Sequence, residues 1–298
     1  MAATAGSEGP PVSEDEASPP AQVVRRAARY LEGHGIQSPD ATAEALLLFV
    51  LGTERASLYA RRSGLSTAEA KRYGRALCQR CKGTPLQYLT GKQPFMGLAL
   101  SVEPGVFVPR PETEGLVEEA IRLLGGRRDP VVVDAGTGTG AVALAVKHLR
   151  PDATVFATDV SLAAVTLARS NAVHLGIPID VRRGDLLEPV PAELVGAVDV
   201  LVSNPPYVTA EAYQSLPVEV RAEPYEALVG GTGVHSRLVD AAVRWLAPDG
   251  WLVVEIGDEQ GPEVTGLFAE DLVEVDVLPD LAGRDRVVRG RRRLGPNG

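Results

Sequence analysis

The chain reads as an α/β protein: a mainly parallel, doubly wound sheet preceded by a small helical bundle. Three observations carry that expectation. From Glu112 onward, short apolar runs alternate with segments of helical spacing, the pattern of a sheet wound by crossover helices. One run, Val131-Val132-Val133-Asp134, opens directly into Ala135-Gly136-Thr137-Gly138-Thr139-Gly140 and then a helical pattern through Leu149. Between Ala21 and about Gln87 the apolar residues instead follow a helical spacing.

The elements follow in order. Residues 1–20 hold Pro, Ser, Glu, Ala and Gly with almost nothing to bury, and are expected to be a disordered tail. In the bundle, over 21–87, Val23-Val24, Ala27-Ala28 and Leu31 mark a first helix. Ser38-Pro39-Asp40 opens a second, with Ala45-Leu46-Leu47-Leu48-Phe49 at its core. Ser66-Thr67-Ala68-Glu69 has the form of a capping box ahead of a third. Residues 88–111 form a connector with a β-hairpin, in which Phe95 precedes a Met96-Gly97 turn and Leu98–Val102 alternates. The remaining domain spans 112–292. It is expected to run helix 112–124, strand 130–134, helix 140–149, strand 153–158, helix 161–175, strand 179–184 and strand 198–203. Helix 234–247, strand 250–256, helix 259–269, strand 272–277 and strand 286–290 complete it. The last two strands are expected as an antiparallel edge pair, and 293–298 as a flexible end.

Composition narrows the function. At 298 residues with 45% hydrophobic content, the chain can fill two cores. Its 39 acidic and 30 basic residues leave a net charge of −9, which argues against a nucleic-acid partner. No apolar run approaches the roughly 20 residues that span a bilayer, and no basic-then-apolar leader opens the chain. A cytoplasmic, monomeric protein that binds no membrane is expected. Cys78 and Cys81 form a C-x-x-C with no second pair to complete a zinc site, and are expected to be reduced helix cysteines with no metal.

Two motifs carry chemistry. Asn204-Pro205-Pro206-Tyr207 follows the buried run Val198–Ser203, so it sits at a strand's carboxyl end, where open α/β sheets place ligands. The prolines stop the strand and stiffen the backbone. Pro205 has no amide donor but keeps its carbonyl. With the Asn204 side-chain oxygen and the flat Tyr207 ring, two rigid acceptors lie beside an aromatic face. That set suits a planar –NH2 group, held by its protons with its nitrogen exposed to an electrophile. The glycine loop sits at a strand-to-helix turn, where a ligand can approach the backbone closely. Alone it is ambiguous: Gly136, Gly138 and Ala141 also fit a dinucleotide-binding pattern, with Asp159 placed to bind a ribose. A dinucleotide enzyme, however, has no use for the tetrapeptide.

Together, Asp134, the loop, Asp159 and Asn204–Tyr207 resemble S-adenosylmethionine-dependent methyltransferases that act on amino or amide nitrogens. More specifically, the chain resembles the peptide chain release factor glutamine methyltransferases over nearly everything after residue 80. The segments that carry this are Pro85–Gly91, Phe95 and Val106–Glu114, then Asp159-Val160-Ser161, Gly184-Asp185 and Ser203–Val208. Glu223-Pro224 with Ala227-Leu228, and Asp280–Arg286, complete it. Asn-Pro-Pro-Tyr by itself is shared with nucleic-acid amino-methyltransferases; the connector and the late Gly-Arg-Asp-Arg are much more particular. Leu186 stands where the family often has an aromatic, Ala222 where His is common, and Gly230–His235 lacks the usual Asp-Gly-Leu.

The resemblance implies a Rossmann-like class I methyltransferase fold with a seven-stranded sheet. It implies methylation of the glutamine side-chain amide in the Gly-Gly-Gln loop of class I release factors, which the helical domain contacts. It also implies a cofactor site of Gly136, Thr137, Gly138, Thr139, Gly140, Asp159, Asp185, Leu186, Asn204 and Phe107. Asn204, Pro205 and Tyr207 would be catalytic, with Pro206 joining them in binding substrate. Arg110, Glu112 and Glu114 are either local pairing and helix-end residues or part of the substrate mouth. Competing readings are a sister enzyme acting on a large ribosomal-subunit protein, an adenine or guanine amino-methyltransferase, and a non-catalytic cofactor-binding scaffold.

Overall fold

The structure, a computed structural model, describes residues 18–293. The expected tail lies outside the described residues up to residue 17, and the expected flexible end lies outside them from residue 294. The chain divides into two units: Met1–Gly91 with Val218–Ala222, and Lys92–Pro217 with Glu223–Gly298.

The first unit is helical: α1 (Pro20–Gly33), α2 (Pro39–Leu51), α3 (Arg55–Ala60), α4 (Thr67–Cys81) and α5 (Leu86–Thr90). Val23, Val24, Ala27, Ala28 and Leu31 of α1 form one core with Leu46 and Leu47 of α2 and Tyr73 and Leu77 of α4. The Tyr73 hydroxyl donates to the Ala43 carbonyl at 2.8 Å, so this large ring is buried without an orphaned polar end. The capping box forms as its sequence requires. Ser66 Oγ accepts from Glu69 N–H, and Glu69 Oε2 accepts from Ser66 N–H at 2.7 Å. Caps of this kind are worth about 0.5–2 kcal/mol. Arg61 also hydrogen-bonds the Glu69 carboxylate, and that bond above all holds its pKa down at about 2. Cys78 and Cys81 are free thiols inside α4. Helices α3 and α5, of six and five residues, are too short to leave a periodic signal and were not foreseen from the sequence.

The second unit opens with the hairpin β1 (Lys92–Phe95) and β2 (Leu98–Ser101), turning through Met96 and Gly97. Then come α6 (Glu114–Leu124), β3 (Val131–Ala135), α7 (Ala141–Leu149), β4 (Thr154–Asp159), α8 (Leu162–Leu175) and β5 (Asp180–Arg183). After β6 (Val198–Ser203) comes α9 (Ala210–Tyr213); α10 (Val218–Arg221) belongs to the first unit, and the second resumes with α11 (Tyr225–Leu228) and α12 (Gly233–Trp245). It ends with β7 (Leu246–Glu255), α13 (Gly261–Asp271), β8 (Leu272–Pro279) and β9 (Asp285–Arg292).

The seven strands lie in the order β5-β4-β3-β6-β7-β9-β8, parallel from β5 to β7. Strand β9 runs antiparallel to both its neighbours. The last two strands pair antiparallel and lie together at one edge of the sheet, as expected. β9 is inserted between β7 and β8, so β8 is the outermost strand. Helix α12 stops earlier than its pattern suggests. Pro248 cannot extend a helix, and β7 begins at Leu246 with a register shift opposite Val198–Val200.

Both faces of the sheet are covered, as near-continuous apolar strands require. Val132, Val155, Val200 and Val253 face a core built with α6, α7 and α8. Val133, Leu201, Leu252 and Val254 face one built with α12 and α13.

Candidate active site

The order of connection reverses between β3 and β6, and at such a switch point the loops leaving adjacent parallel strands diverge and open a crevice. Register pairs Asp134 with Val202, so the chain leaves both strands at the same height. The Ser203 hydroxyl donates to the Ala135 carbonyl at 2.6 Å, and both residues are buried. The glycine loop and the Asn204 corner therefore start from one fixed point.

The loop is braced from below. Gly136 and Thr137 N–H both donate to the Thr158 carbonyl at 2.9 Å. The Thr137 hydroxyl donates to Asp134 Oδ2 at 2.6 Å, which also accepts from Ala143 N–H in the first turn of α7. Asp134 is thus a buried brace rather than a ligand group, and burial pushes its pKa up to about 7. Gly136 and Gly138 have φ of +79° and +56°, and a Cβ on either would meet nothing within 4 Å. Their glycines answer the backbone turn and leave the space above the loop open to a ligand. From α8, Asn171 Nδ2 donates to the Thr139 carbonyl at 2.9 Å and to Ser101 O, joining loop to hairpin.

Asp159, at the end of β4, accepts from Gly138 N–H at 2.9 Å and from Ser161 N–H at 2.8 Å; burial raises its pKa. Each carboxylate oxygen keeps further acceptor capacity for a hydroxyl pair. Asp185 and Leu186 follow β5. Leu186 is half-buried against the α12–α13 core with φ +45°. Asp185 is paired with Arg237 of α12 and half-exposed, a partner the sequence did not suggest. Phe107 is half-buried, with the Arg110 guanidinium carbon 5.0 Å from its ring centre. Arg110 also pairs with Glu223, a buried carboxylate that accepts from Val108 N–H at 3.0 Å. Glu114 accepts from Met96 N–H at 2.7 Å, tying α6 to the hairpin turn.

The Asn204 corner is held on every side. Pro205 is buried, and Asn204, Pro206 and Tyr207 are half-buried. Gln260 Nε2 donates to the Tyr207 carbonyl at 3.0 Å while its Oε1 accepts from Gly257 N–H at 2.9 Å. Val208 N–H donates to Leu228 O at 2.9 Å, and Gly230 N–H to Val208 O at 3.1 Å. A Cβ on Gly230 would lie 2.4 Å from the Pro206 carbonyl oxygen, so only glycine allows that approach.

Two residues at this corner escaped the sequence reading, which weighed Arg110, Glu112 and Glu114 and passed over Thr113. Asn204 Nδ2 donates to Thr113 Oγ1 at 3.1 Å. Thr113 precedes α6 yet makes no cap bond to it, and it is buried. Behind it lies Glu255 at the end of β7, 1% exposed. Burial pushes its pKa up to about 7, against the nearby Thr113 hydroxyl and the charge of Arg286, and its Oε2 is buried with no hydrogen-bond partner. The Tyr207 phenol is itself pushed up to about 12 by burial. An isolated acid at the end of an apolar strand gives no sequence signal of such a role. Among the described residues no group of His, Cys, Asp and Glu could hold a metal ion, and no helix is long and apolar enough to cross a membrane.

Strand order, glycine loop and a ligand edge between β3 and β6 define the class I methyltransferase fold. A model of the PrmC N-terminal domain matches residues 22–91, and one of the methyltransferase small domain matches 104–222. The release factor glutamine methyltransferase of Moorella thermoacetica is 39% identical, covering 91% of this chain and 98% of its own length. That of Deinococcus radiodurans is 37% identical over 92% and 98%. Among solved structures, the Thermus thermophilus 16S rRNA N2 G1207 methyltransferase aligns with TM-score 0.51 at 22% identity. It covers 68% of this chain and 50% of its own, and is a likeness of fold alone. The chain belongs to the release factor glutamine methyltransferase family.

Proposed function

We propose that this protein transfers a methyl group from S-adenosylmethionine to the side-chain amide nitrogen of the glutamine in the Gly-Gly-Gln motif of class I peptide chain release factors, in the cytoplasm. The observation that carries this is the Asn204 amide. Its nitrogen is committed to Thr113, so Oδ1 is the atom left to accept, beside the carbonyl of the rigid, buried Pro205. Two acceptors side by side match the two protons of an –NH2 group, whereas a hydroxyl could satisfy only one of them and a carboxylate neither.

The residues present fit the cofactor. The open space over Gly136 and Gly138 admits a ligand against the backbone, Asp159 ends β4, and Asp185 follows the neighbouring β5. Gly136–Gly140, Asp159 and Asp185 would hold it, with Phe107 and Leu186 as apolar walls. When bound it supplies an electrophilic methyl group on a sulfonium.

The protein's own contribution is to the amide. An amide nitrogen is a weak nucleophile because its lone pair is delocalised into the carbonyl. Asn204 Oδ1 and Pro205 O each accept one of its protons, which draws electron density onto nitrogen and fixes its direction. The Tyr207 ring packs on the amide plane. One N–H proton leaves to solvent as the N–C bond forms, so no strong base is needed. Alignment of this kind is worth a large effective molarity.

The test is labelled S-adenosylmethionine with purified protein and release factors whose target glutamine is intact or replaced by alanine. Label should appear in the intact factor alone. Equal labelling of both, or of neither, would refute the assignment.

A further inference from the structure

Phe107 and Arg110 stand on a stretch, Val106–Arg110, that belongs to no strand or helix. Pro109 and Pro111 have no N–H, so this stretch cannot be held by a sheet ladder. It is fixed at three points instead. At one end Val106 is buried against Ala164 and Leu167 of α8, the helix that follows Asp159. Just beyond the other end, Thr113 Oγ1 accepts from Asn204 Nδ2 at 3.1 Å. Since β3 lies between β4 and β6, the segment crosses from the Asp159 side of the glycine loop to the Asn204 side. Midway, Val108 N–H donates to Glu223 Oε2 at 3.0 Å, and Arg110 pairs with Glu223 Oε1.

Glu223 opens the Glu223-Pro224 motif, for which the proposed chemistry has no use. Its side chain is 1% exposed. A carboxylate is tolerated in such a place only where donors meet it. These two donors come from one segment, 113 and 115 residues earlier in the chain. Arg110 carries the restraint one step further, because its guanidinium carbon lies 5.0 Å from the centre of the Phe107 ring, within cation–π range. The carboxylate fixes the guanidinium, and the guanidinium fixes the face of the ring. Phe107 itself is half-buried, with ring surface left for a ligand to cover.

We infer that Glu223 is a positioning residue for the cofactor pocket: its carboxylate clamps the segment Val106–Thr113 across the crevice and so holds the Phe107 ring in place as a pocket wall. The inference rests on the proposed cofactor site, which gives Phe107 that wall. Glu223 acts through Phe107 and does not itself touch the cofactor. Without the carboxylate, Val108 N–H loses this acceptor and Arg110 its counter-charge, and the ring is free to swing away.

A double-mutant cycle read by calorimetry with S-adenosylmethionine tests this. Phe107→Ala should weaken binding roughly 3- to 10-fold, the worth of one aromatic packing contact. Glu223→Ala should weaken it by a similar factor. The double variant should lie within about twofold of either single one, because residues that act together do not add. Glu223→Gln keeps one acceptor oxygen and should fall between the wild type and Glu223→Ala.

A merely structural role predicts that the two losses multiply in the double variant, and that result would overturn the inference. Unchanged cofactor affinity in Glu223→Ala, or a glutamine variant that binds no better than alanine, would overturn it too. If Glu223→Ala does not fold, Glu223→Gln in the same cycle with Phe107→Ala decides the matter. A cycle that behaves as expected in a protein that methylates no release factor would count against the proposed substrate and leave the clamp standing.

Discussion

The Ser203 hydroxyl reaches the Ala135 carbonyl across 2.6 Å, joining the last residue of β6 to the last of β3 in a buried site. The amide-gripping corner and the glycine loop share that anchor, so neither can shift without the other. Ser203→Ala leaves the Ala135 carbonyl without this donor, and a buried unsatisfied group costs about 1–3 kcal/mol. Urea unfolding should show a loss of that size, accompanied by slower methylation at saturating cofactor.

Gly230→Ala should damage activity far more than its size suggests. Its Cβ would lie 2.4 Å from the Pro206 carbonyl oxygen and 3.2 Å from Val234 Cγ2, so the corner itself must move. A displacement near 1 Å costs on the order of 10²-fold in rate. Gly266→Ala is the control. That residue lies inside α13 with nothing within 4 Å of a Cβ, and alanine there should stabilise the protein by about 0.5–1 kcal/mol with unchanged turnover.

Asp159→Ala removes the acceptor for Gly138 and Ser161 N–H together. Cofactor affinity measured by calorimetry should fall by about tenfold or more, since each lost charge-assisted bond is worth about 1.5–3 kcal/mol. Affinity within twofold of the wild type would remove Asp159 from the proposed site.

Stability should decline as pH rises from about 4.5 to about 7. Burial lifts Glu255 from 4.5 to about 7 in the folded state, and Asp134 from 3.8 to about 7. Between those limits these two carboxyls hold more protons in the folded protein than in the unfolded chain, so through them raising pH favours unfolding, and that loss levels off above about 7; buried His235, its pKa lowered, acts in the opposite sense. Glu255→Gln removes one of these costs. Thermal melting should therefore show the variant gaining about 2 °C or more over the wild type at pH 8, and little at pH 5.

Much of this arrangement was legible in the sequence because it depends on local order. The run Val131–Asp134 followed by glycines, and the run Val198–Ser203 followed by two prolines, identify strand ends whatever surrounds them. Ser66 and Glu69 specify their own cap. What escaped depends on neighbours distant along the chain. Thr113 meets Asn204 91 residues later. Glu255 becomes distinctive only once β7 lies beside β6, and Asp185 finds Arg237 only once α12 packs on the sheet. The insertion of β9 between β7 and β8 is likewise a matter of pairing that alternation within one strand does not encode.

The most direct measurement of the central claim is single-turnover methyl transfer to a release factor by Asn204→Ala, with cofactor binding measured on the same preparation. Loss of one preorganised hydrogen-bonding group should slow transfer by about 10²–10³-fold while cofactor still binds. Transfer at the wild-type rate would contradict the assignment of Asn204 as the grip on the glutamine amide.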